Sequence, residues 1–91
     1  MEKVVVKILV LTDQTQLISQ IEEVSADIGE PDCKLTEPFL VEVDKLTKNK
    51  VLTPWLIDVT DDNQFMISSD KILTLVEPNT NLLNKYQDLL K

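Results

Sequence analysis

The chain has 91 residues, which suits one small domain, and its 43% hydrophobic and 27% charged residues are typical of a globular protein. Its formal net charge is −7 and its nine cations are all lysines, so an overall basic surface for nucleic acid is absent. The single cysteine, Cys33, and the lack of histidine argue against a disulfide, a structural zinc site and a Cys–His nucleophile.

The N-terminal part contains one clear strand and one ambiguous segment. Residues 4–11, VVVKILVL, are β-branched and almost continuously apolar, which predicts a buried strand rather than a signal peptide, because Lys7 interrupts the run. Residues 16–26 carry apolar side chains at helical spacing after Asp13, a candidate N-cap, and this pattern slightly favours a helix. The alternative is a long, bent strand that follows a hairpin turn at residues 12–15.

The middle of the chain predicts two further strands. Residues 27–32, DIGEPD, hold the only glycine and indicate a loop. Residues 34–43 alternate with their apolar side chains on one face, and Glu37-Pro38 predicts an edge or a bulge. After a lysine-rich loop, residues 54–60 alternate again and predict a strand whose inward residues are Trp55, Ile57 and Val59.

The C-terminal part predicts two strands and a helix. Residues 65–78, FMISSDKILTLVEP, form an apolar run, a polar break at residues 68–71 and a second apolar run. Residues 80–90 place leucines and Tyr86 at helical spacing, with Asn79 or Thr80 as N-cap, and this apolar stripe should pack on the sheet or on a partner. We therefore expect one mainly β domain over residues 1–91, with five strands within about residues 4–76 and a C-terminal helix.

The sequence lacks the residues that most enzyme chemistry requires. One glycine cannot build a phosphate cradle, and Ser68 and Ser69 have neither a histidine nor a glycine elbow. The carboxylates at 58, 61 and 62 lack the glycine and spacing of a calcium loop. An exposed Cys33 beside Lys34 would have a lowered thiol pKa, but a small residue at a strand start is the simpler interpretation. We expect no catalysis, no cofactor, no metal and, without an apolar run of ~20 residues, no membrane span.

The stretch FMISSDKILTLVEP resembles the second Sm motif of the Sm, Sm-like (LSm) and Hfq proteins, which is a strand, a short polar turn and a strand, often followed by proline. Residues 6–24 resemble the opening hairpin of the first Sm motif, DIGEPDCK stands at its nucleotide-contacting turn, and LTEPFLVEV resembles the strand after it. The resemblance spans roughly residues 4–78. The chain as a whole is similar to small Sm-like proteins of marine bacteriophages (cyanophage type). The chain departs from the pattern where Ser68-Ser69 replaces Arg-Gly and Cys33-Lys34 replaces the Asn region.

The resemblance implies a small five-stranded, strongly bent Sm-like barrel of the SH3 type, with residues 16–26 as a strand. It implies a cytoplasmic homo-oligomeric ring, in the host cytoplasm if phage-encoded, that binds single-stranded RNA or DNA. The implied nucleic-acid contacts are Cys33, Lys34, Ser68, Ser69 and Lys71, with Lys48 and Lys50 as peripheral contacts. The implied subunit interface comprises Trp55, Ile57, Phe65, Ile67, Ile72, Leu73 and Leu75. The alternative is a structural or adaptor ring without nucleic-acid binding, which the net charge of −7 favours.

Overall fold

A computed structural model describes residues 5–90 of the protein. In chain order its elements are β1 (Val6–Leu11), β2 (Gln16–Glu23), β3 (Cys33–Val43), β4 (Lys50–Pro54), β5 (Gln64–Ile67), a short 3-10 helix (Ser69–Lys71), β6 (Ile72–Val76) and α1 (Thr80–Leu89). The predicted mainly β class and C-terminal helix are confirmed, but the described residues form six strands rather than five. Val4, the predicted start of the first strand, lies outside the described residues.

All the strands belong to one antiparallel sheet, in the order β4-β3-β2-β1-β6. The second edge of β3 is shared, because its N-terminal half pairs with β5 and its C-terminal half pairs with β4. The sheet is open, since its two end strands, β4 and β6, are not paired with each other. The polar break between β5 and β6 therefore connects two separate parts of the sheet and is not the turn of a hairpin.

The ambiguous segment after Asp13 is a strand. The resemblance implied a strand here, whereas the local pattern slightly favoured a helix. β2 pairs with β1 on one edge and with β3 on the other, so its backbone groups are satisfied on both sides. Asp13 does not cap a helix, because its carboxylate accepts a hydrogen bond from the backbone N–H of Thr15 at 3.0 Å within the β1–β2 turn. In that turn Gln14 adopts a φ of 74°. Tertiary pairing thus outweighs helical spacing here.

The interruption predicted at Glu37-Pro38 is confirmed as a bulge. Glu37 has a φ of 53°, and the register between β2 and β3 shifts by one residue at this point. A one-residue shift moves the following side chains to the opposite face of the sheet. Leu35 therefore packs in one apolar cluster and Phe39 in the other, so the predicted single apolar face of this strand is wrong.

The sheet has an apolar cluster on each face. One cluster contains Leu9, Leu11, Leu17 and Leu35, with Trp55, Ile67 and Ile72 packed against it. The other contains Ile18, Phe39 and Tyr86, and α1 covers it. The helix begins after Asn79, whose side chain accepts a hydrogen bond from the backbone N–H of Leu82 at 2.8 Å. The predicted N-cap and the predicted packing of the helix on the sheet are both confirmed.

The strand predicted at residues 54–60 is wrong, because β4 ends at Pro54 and residues 55–59 form a turn. Beyond the Glu37-Pro38 bulge the edge of β3 is occupied by β5, so β4 cannot continue along it. Trp55 does face inward, against Phe65 at a ring-centroid distance of 5.8 Å. Ile57 and Val59 were expected to face inward but are 56% and 76% exposed. Local alternation carries no information about which strand edge is already paired.

Candidate functional site

The carboxylate of Asp32 joins the two loops that the resemblance assigns to nucleotide contacts. Its two oxygens accept hydrogen bonds from the backbone N–H of Ser69 at 2.7 Å and from the Ser69 hydroxyl at 2.8 Å. These hydrogen bonds from Ser69 lower the pKa of Asp32. The residues are 37 positions apart in sequence, so no local pattern could have predicted the contact. The Asp32–Ser69 contact holds the start of β3 beside the 3-10 helix.

Cys33 lies next to this contact but is buried, with 5% of its surface exposed. Burial is the main factor that raises the pKa of its thiol, and the neighbouring carboxylates of Asp32 and Glu23 add to the effect. The alternative of an exposed thiol with a lowered pKa is therefore wrong. Cys33 pairs with Ile67 of β5 and contributes to the wall of the site rather than to a reactive group.

Lys34 is engaged in an ion pair across two strands. Its Nζ lies 2.7 Å from Oε1 of Glu22, which is its direct partner in the β2–β3 register. About a third of the lysine side chain remains exposed. The ammonium can therefore reach a phosphate only in competition with Glu22.

Lys71 is exposed at the end of the 3-10 helix, and its backbone is fixed on both sides. Its N–H donates to the carbonyl of Ser68 at 3.0 Å, and its carbonyl accepts from the N–H of Thr12 at 3.0 Å. Within the described part of the chain, its ammonium forms no ion pair. Lys71 is thus the cation of the two loops that is best placed to meet an anionic ligand.

The structure brings together one part of the predicted site and separates another. Residues 32–34 and 68–71 converge through the Asp32–Ser69 contact and the pairing of β3 with β5. Lys48 lies in the turn after the other end of β3, and Lys50 is the first residue of β4, opposite Val43 at that end. In a single chain they are therefore not peripheral contacts of the same site.

A groove that no sequence motif predicted lies beside the two loops. It has a volume of about 810 Å³ and is open to solvent. Apolar residues before β1, at the end of β2 and in β6 line it, together with the acidic residues Glu23 and Asp32. Glu22 also borders the groove, but its carboxylate pairs with Lys34 on the opposite face of the sheet. Lys7, also in the groove, forms an ion pair with Glu77. Four separate segments form the groove, so only the folded sheet shows it.

The residues predicted for a subunit interface fall into two groups. Half-buried side chains that pack into the molecule are Trp55, Phe65, Ile67 and Ile72. Exposed side chains are Ile57, Leu73 and Leu75. Only the second group is available to another molecule without rearrangement of the core.

Two further properties concern the described residues 5–90. They contain no group of three or more Cys, Asp or Glu side chains arranged to hold a metal ion, so the carboxylates at 58, 61 and 62 do not form one. They also contain no helix with the length and apolar character needed to cross a membrane.

The fold and site define a small, mainly β protein whose antiparallel sheet is covered on one face by a C-terminal helix and carries a groove lined by carboxylates. The chain belongs to DUF6561, a family of unknown function, whose model matches residues 4–91. A comparison with curated proteins finds no match. The family carries no assigned activity.

Proposed function

We propose that the protein is a non-catalytic, ring-forming, Sm-like protein that binds single-stranded RNA through residues 32–34 and 68–71. The observation that carries this proposal is the double hydrogen bond between Asp32 and Ser69, which places the two loops side by side. The strand order β3-β2-β1-β6, with β4 and β5 sharing the far edge of β3, supports the finer assignment of a bent Sm-like sheet.

The free strand edges support assembly into a ring. β6 ends one side of the sheet and exposes Leu73 and Leu75, while β4 and β5 end the other side near the exposed Ile57. Unpaired strand edges can pair with another chain. When two different edges meet head to tail, the contact repeats and generates a closed ring if the rotation between copies closes. Each copy would then have both sheet edges paired.

The chemistry of the two loops favours contacts with bases over contacts with phosphates. A carboxylate has about four lone-pair sites; Ser69 uses two of those on Asp32, which leaves acceptors for the N–H groups of a base. Lys71 supplies an exposed cation for a phosphate. Such a site is weak in one chain, but a ring presents one copy per subunit to the same strand and so raises the overall affinity.

The proposal is tested by measuring mass with light scattering and affinity with labelled U-rich and A-rich RNA across a salt series. We expect an oligomer whose affinity for RNA falls as salt is added. The logarithm of the affinity should fall against the logarithm of the salt concentration with a slope of about −0.7 per phosphate contacted. Lys71→Ala should weaken binding and reduce this slope. Lys85→Ala removes an equal charge from α1 and is the matched control, with little effect expected on RNA affinity. Because Lys85 Nζ also donates a hydrogen bond to the Lys50 carbonyl at 2.7 Å, circular dichroism checks that this variant keeps the wild-type fold. A monomer, or no RNA binding at low salt, would overturn the proposal.

A structural or adaptor ring that binds no nucleic acid is the second candidate. The specific observation in its favour is that Glu22 neutralises Lys34, while Glu23 and Asp32 add negative charge to the same region. Carboxylates repel the phosphates that dominate nucleic-acid affinity. An oligomeric mass combined with no RNA binding at low salt would select this function over the first.

A further inference from the structure

The groove beside the two loops is an incompletely covered part of the sheet. Leu75 lies opposite the fully buried Leu9 on the same face of the sheet, yet it is 47% exposed. Leu73, on the same strand, is 60% exposed. The apolar groove surface and the acidic residues Glu23 and Asp32 together complement a segment that has an apolar centre flanked by cations.

The chain itself carries such a segment, the hairpin of residues 44–50, DKLTKNK, between β3 and β4. Leu46 at its tip is 94% exposed, and lysines flank it at 45, 48 and 50. The tip is ordered, because the carboxylate of Asp44 accepts a hydrogen bond from the N–H of Leu46 at 2.9 Å and the N–H of Lys48 donates to the Asp44 carbonyl at 2.7 Å. An ordered turn therefore presents a leucine that contributes nothing to the core.

The topology excludes the chain's own groove as the partner of this hairpin. Asp32 and Cys33 line the groove at the N-terminal end of β3, whereas the hairpin follows the C-terminal end of this strand, so its 11 residues separate the two. A second copy approaching head to tail brings its β4 end to the β6 end of the first. The same approach would bring its hairpin towards the groove.

We infer that the 44–50 hairpin of one copy docks in the groove of the next, with Leu46 against the apolar surface and the flanking lysines against Glu23 and Asp32. This inference rests on the proposed ring and names the contact that closes it. It also adds cations to the Lys71 ammonium of each chain's own two-loop site, because Lys48 and Lys50 of the neighbour would approach the Asp32–Ser69 contact. The partner copy then completes the nucleotide site.

The apolar half of the contact is tested by Leu46→Ser with Ile28→Ser as the matched control. Both positions are exposed loop residues, at 94% and 106%, and Ile28 does not line the groove. Because both side chains are solvated in the monomer, circular dichroism should show unchanged folding. We expect Leu46→Ser to raise the protein concentration at which the oligomer dissociates by about tenfold or more, as loss of a buried leucine contact implies. Ile28→Ser should leave it unchanged.

The charged half of the docking contact is tested by charge reversal on each side, followed by restoration of the oligomer when both sides are reversed together. Lys45→Glu combined with Lys48→Glu should weaken the oligomer, Glu23→Lys alone should weaken it, and all three changes together should restore it towards the wild type. Carbodiimide treatment of mixed isotope-labelled and unlabelled protein should join a lysine of the hairpin to a carboxylate of the groove in different copies.

The outcomes separate the docking contact from the ring. A wild-type monomer would overturn both the ring and the docking. A wild-type oligomer that is unaffected by the hairpin and groove variants, and that gives no hairpin-to-groove cross-link, would overturn the docking and leave the ring standing.

Discussion

The hydroxyl of Tyr86 donates a hydrogen bond to the backbone carbonyl of Glu37 at 2.8 Å, so the C-terminal helix is tied to the bulge in the longest strand. The same oxygen accepts a hydrogen bond from the backbone N–H of Gln20 at 3.2 Å. Tyr86 is fully buried, and burial raises the pKa of its hydroxyl. One side chain therefore links α1 to both β2 and β3 at the point where the register between those strands shifts.

Tyr86→Phe should destabilise the protein without changing its fold. The ring would keep its edge-to-face contact with Phe39, at a centroid distance of 5.7 Å, while the N–H of Gln20 would lose the tyrosine oxygen. A buried polar group left without its partner costs about 1–3 kcal/mol in the free energy of unfolding. Urea unfolding followed by circular dichroism measures this loss. Gln87→Ala, on the exposed side of the helix, is the control, and equal stability of the two variants would contradict the role of the hydroxyl.

The left-handed conformation of Glu37 predicts opposite responses to two substitutions. Glu37→Val places a β-branched residue at a φ of 53°, which should cost about 1–2 kcal/mol or more, whereas Glu37→Gly adopts this conformation without steric cost. Both changes remove the carboxylate that accepts a hydrogen bond from the Asn63 amide at 2.8 Å, so the loss of this hydrogen bond cancels when the two variants are compared. The midpoint of chemical unfolding should be higher for the glycine variant, and the reverse order would disprove the argument.

The Asp32–Ser69 contact predicts a specific loss of structure in acid. The pKa of Asp32 is lowered in the folded protein, chiefly by its hydrogen bonds from Ser69, relative to about 3.9 in an unfolded chain. The contact therefore adds stability above that unfolded value, and this contribution disappears as the pH falls through the lowered folded pKa. The protection of the Ser69 amide against hydrogen exchange, measured as the ratio of the unprotected rate to the observed rate, should therefore fall over this pH range.

Asp32→Ala should remove the protection of the Ser69 amide at every pH. Asp27→Ala changes an exposed carboxylate in the same loop and should retain the wild-type profile. An Asp32→Ala protein with wild-type protection at Ser69 would show that the carboxylate does not hold the two loops together.

The thiol of Cys33 should react slowly with alkylating and disulfide reagents in the folded protein. It is buried, and burial, then Asp32 and Glu23, raise its pKa, so both access and thiolate population are low. Reaction monitored at about pH 8 should speed up strongly in urea. Cys33→Ala combined with Leu46→Cys provides an exposed thiol and should react at the rate of a free cysteine. Comparable rates in the two folded proteins would place Cys33 at the surface.

Features that depend on neighbouring residues were predictable from the sequence. The helix after Asn79 follows from a capping side chain and an apolar stripe, and both are local. The polar break after Ile67 and the interruption at Glu37 were equally visible, because serine, aspartate and proline restrict the backbone where they stand. The prediction of Asp13 as a helix N-cap was wrong, because its carboxylate accepts a hydrogen bond within the β1–β2 turn.

Features that depend on distant pairing were not predictable from local pattern. Residues 16–23 have helical spacing but form a strand, because β1 and β3 offer their edges to both sides of it. Residues 55–59 alternate like a strand but turn, because β5 occupies the edge they would need. The candidate site has the same origin, since Asp32 and Ser69 are 37 residues apart.

The sequence by itself determined a mainly β chain with a capped C-terminal helix, because caps, turns and apolar runs act over a few residues. Only the tertiary structure decided which loops meet, which lysine is neutralised and which leucines stay exposed. Backbone hydrogen bonds between strands are satisfied by whichever edge is available, and the choice of edge depends on the whole sheet. The Asp32–Ser69 contact and the groove beside it follow from that choice.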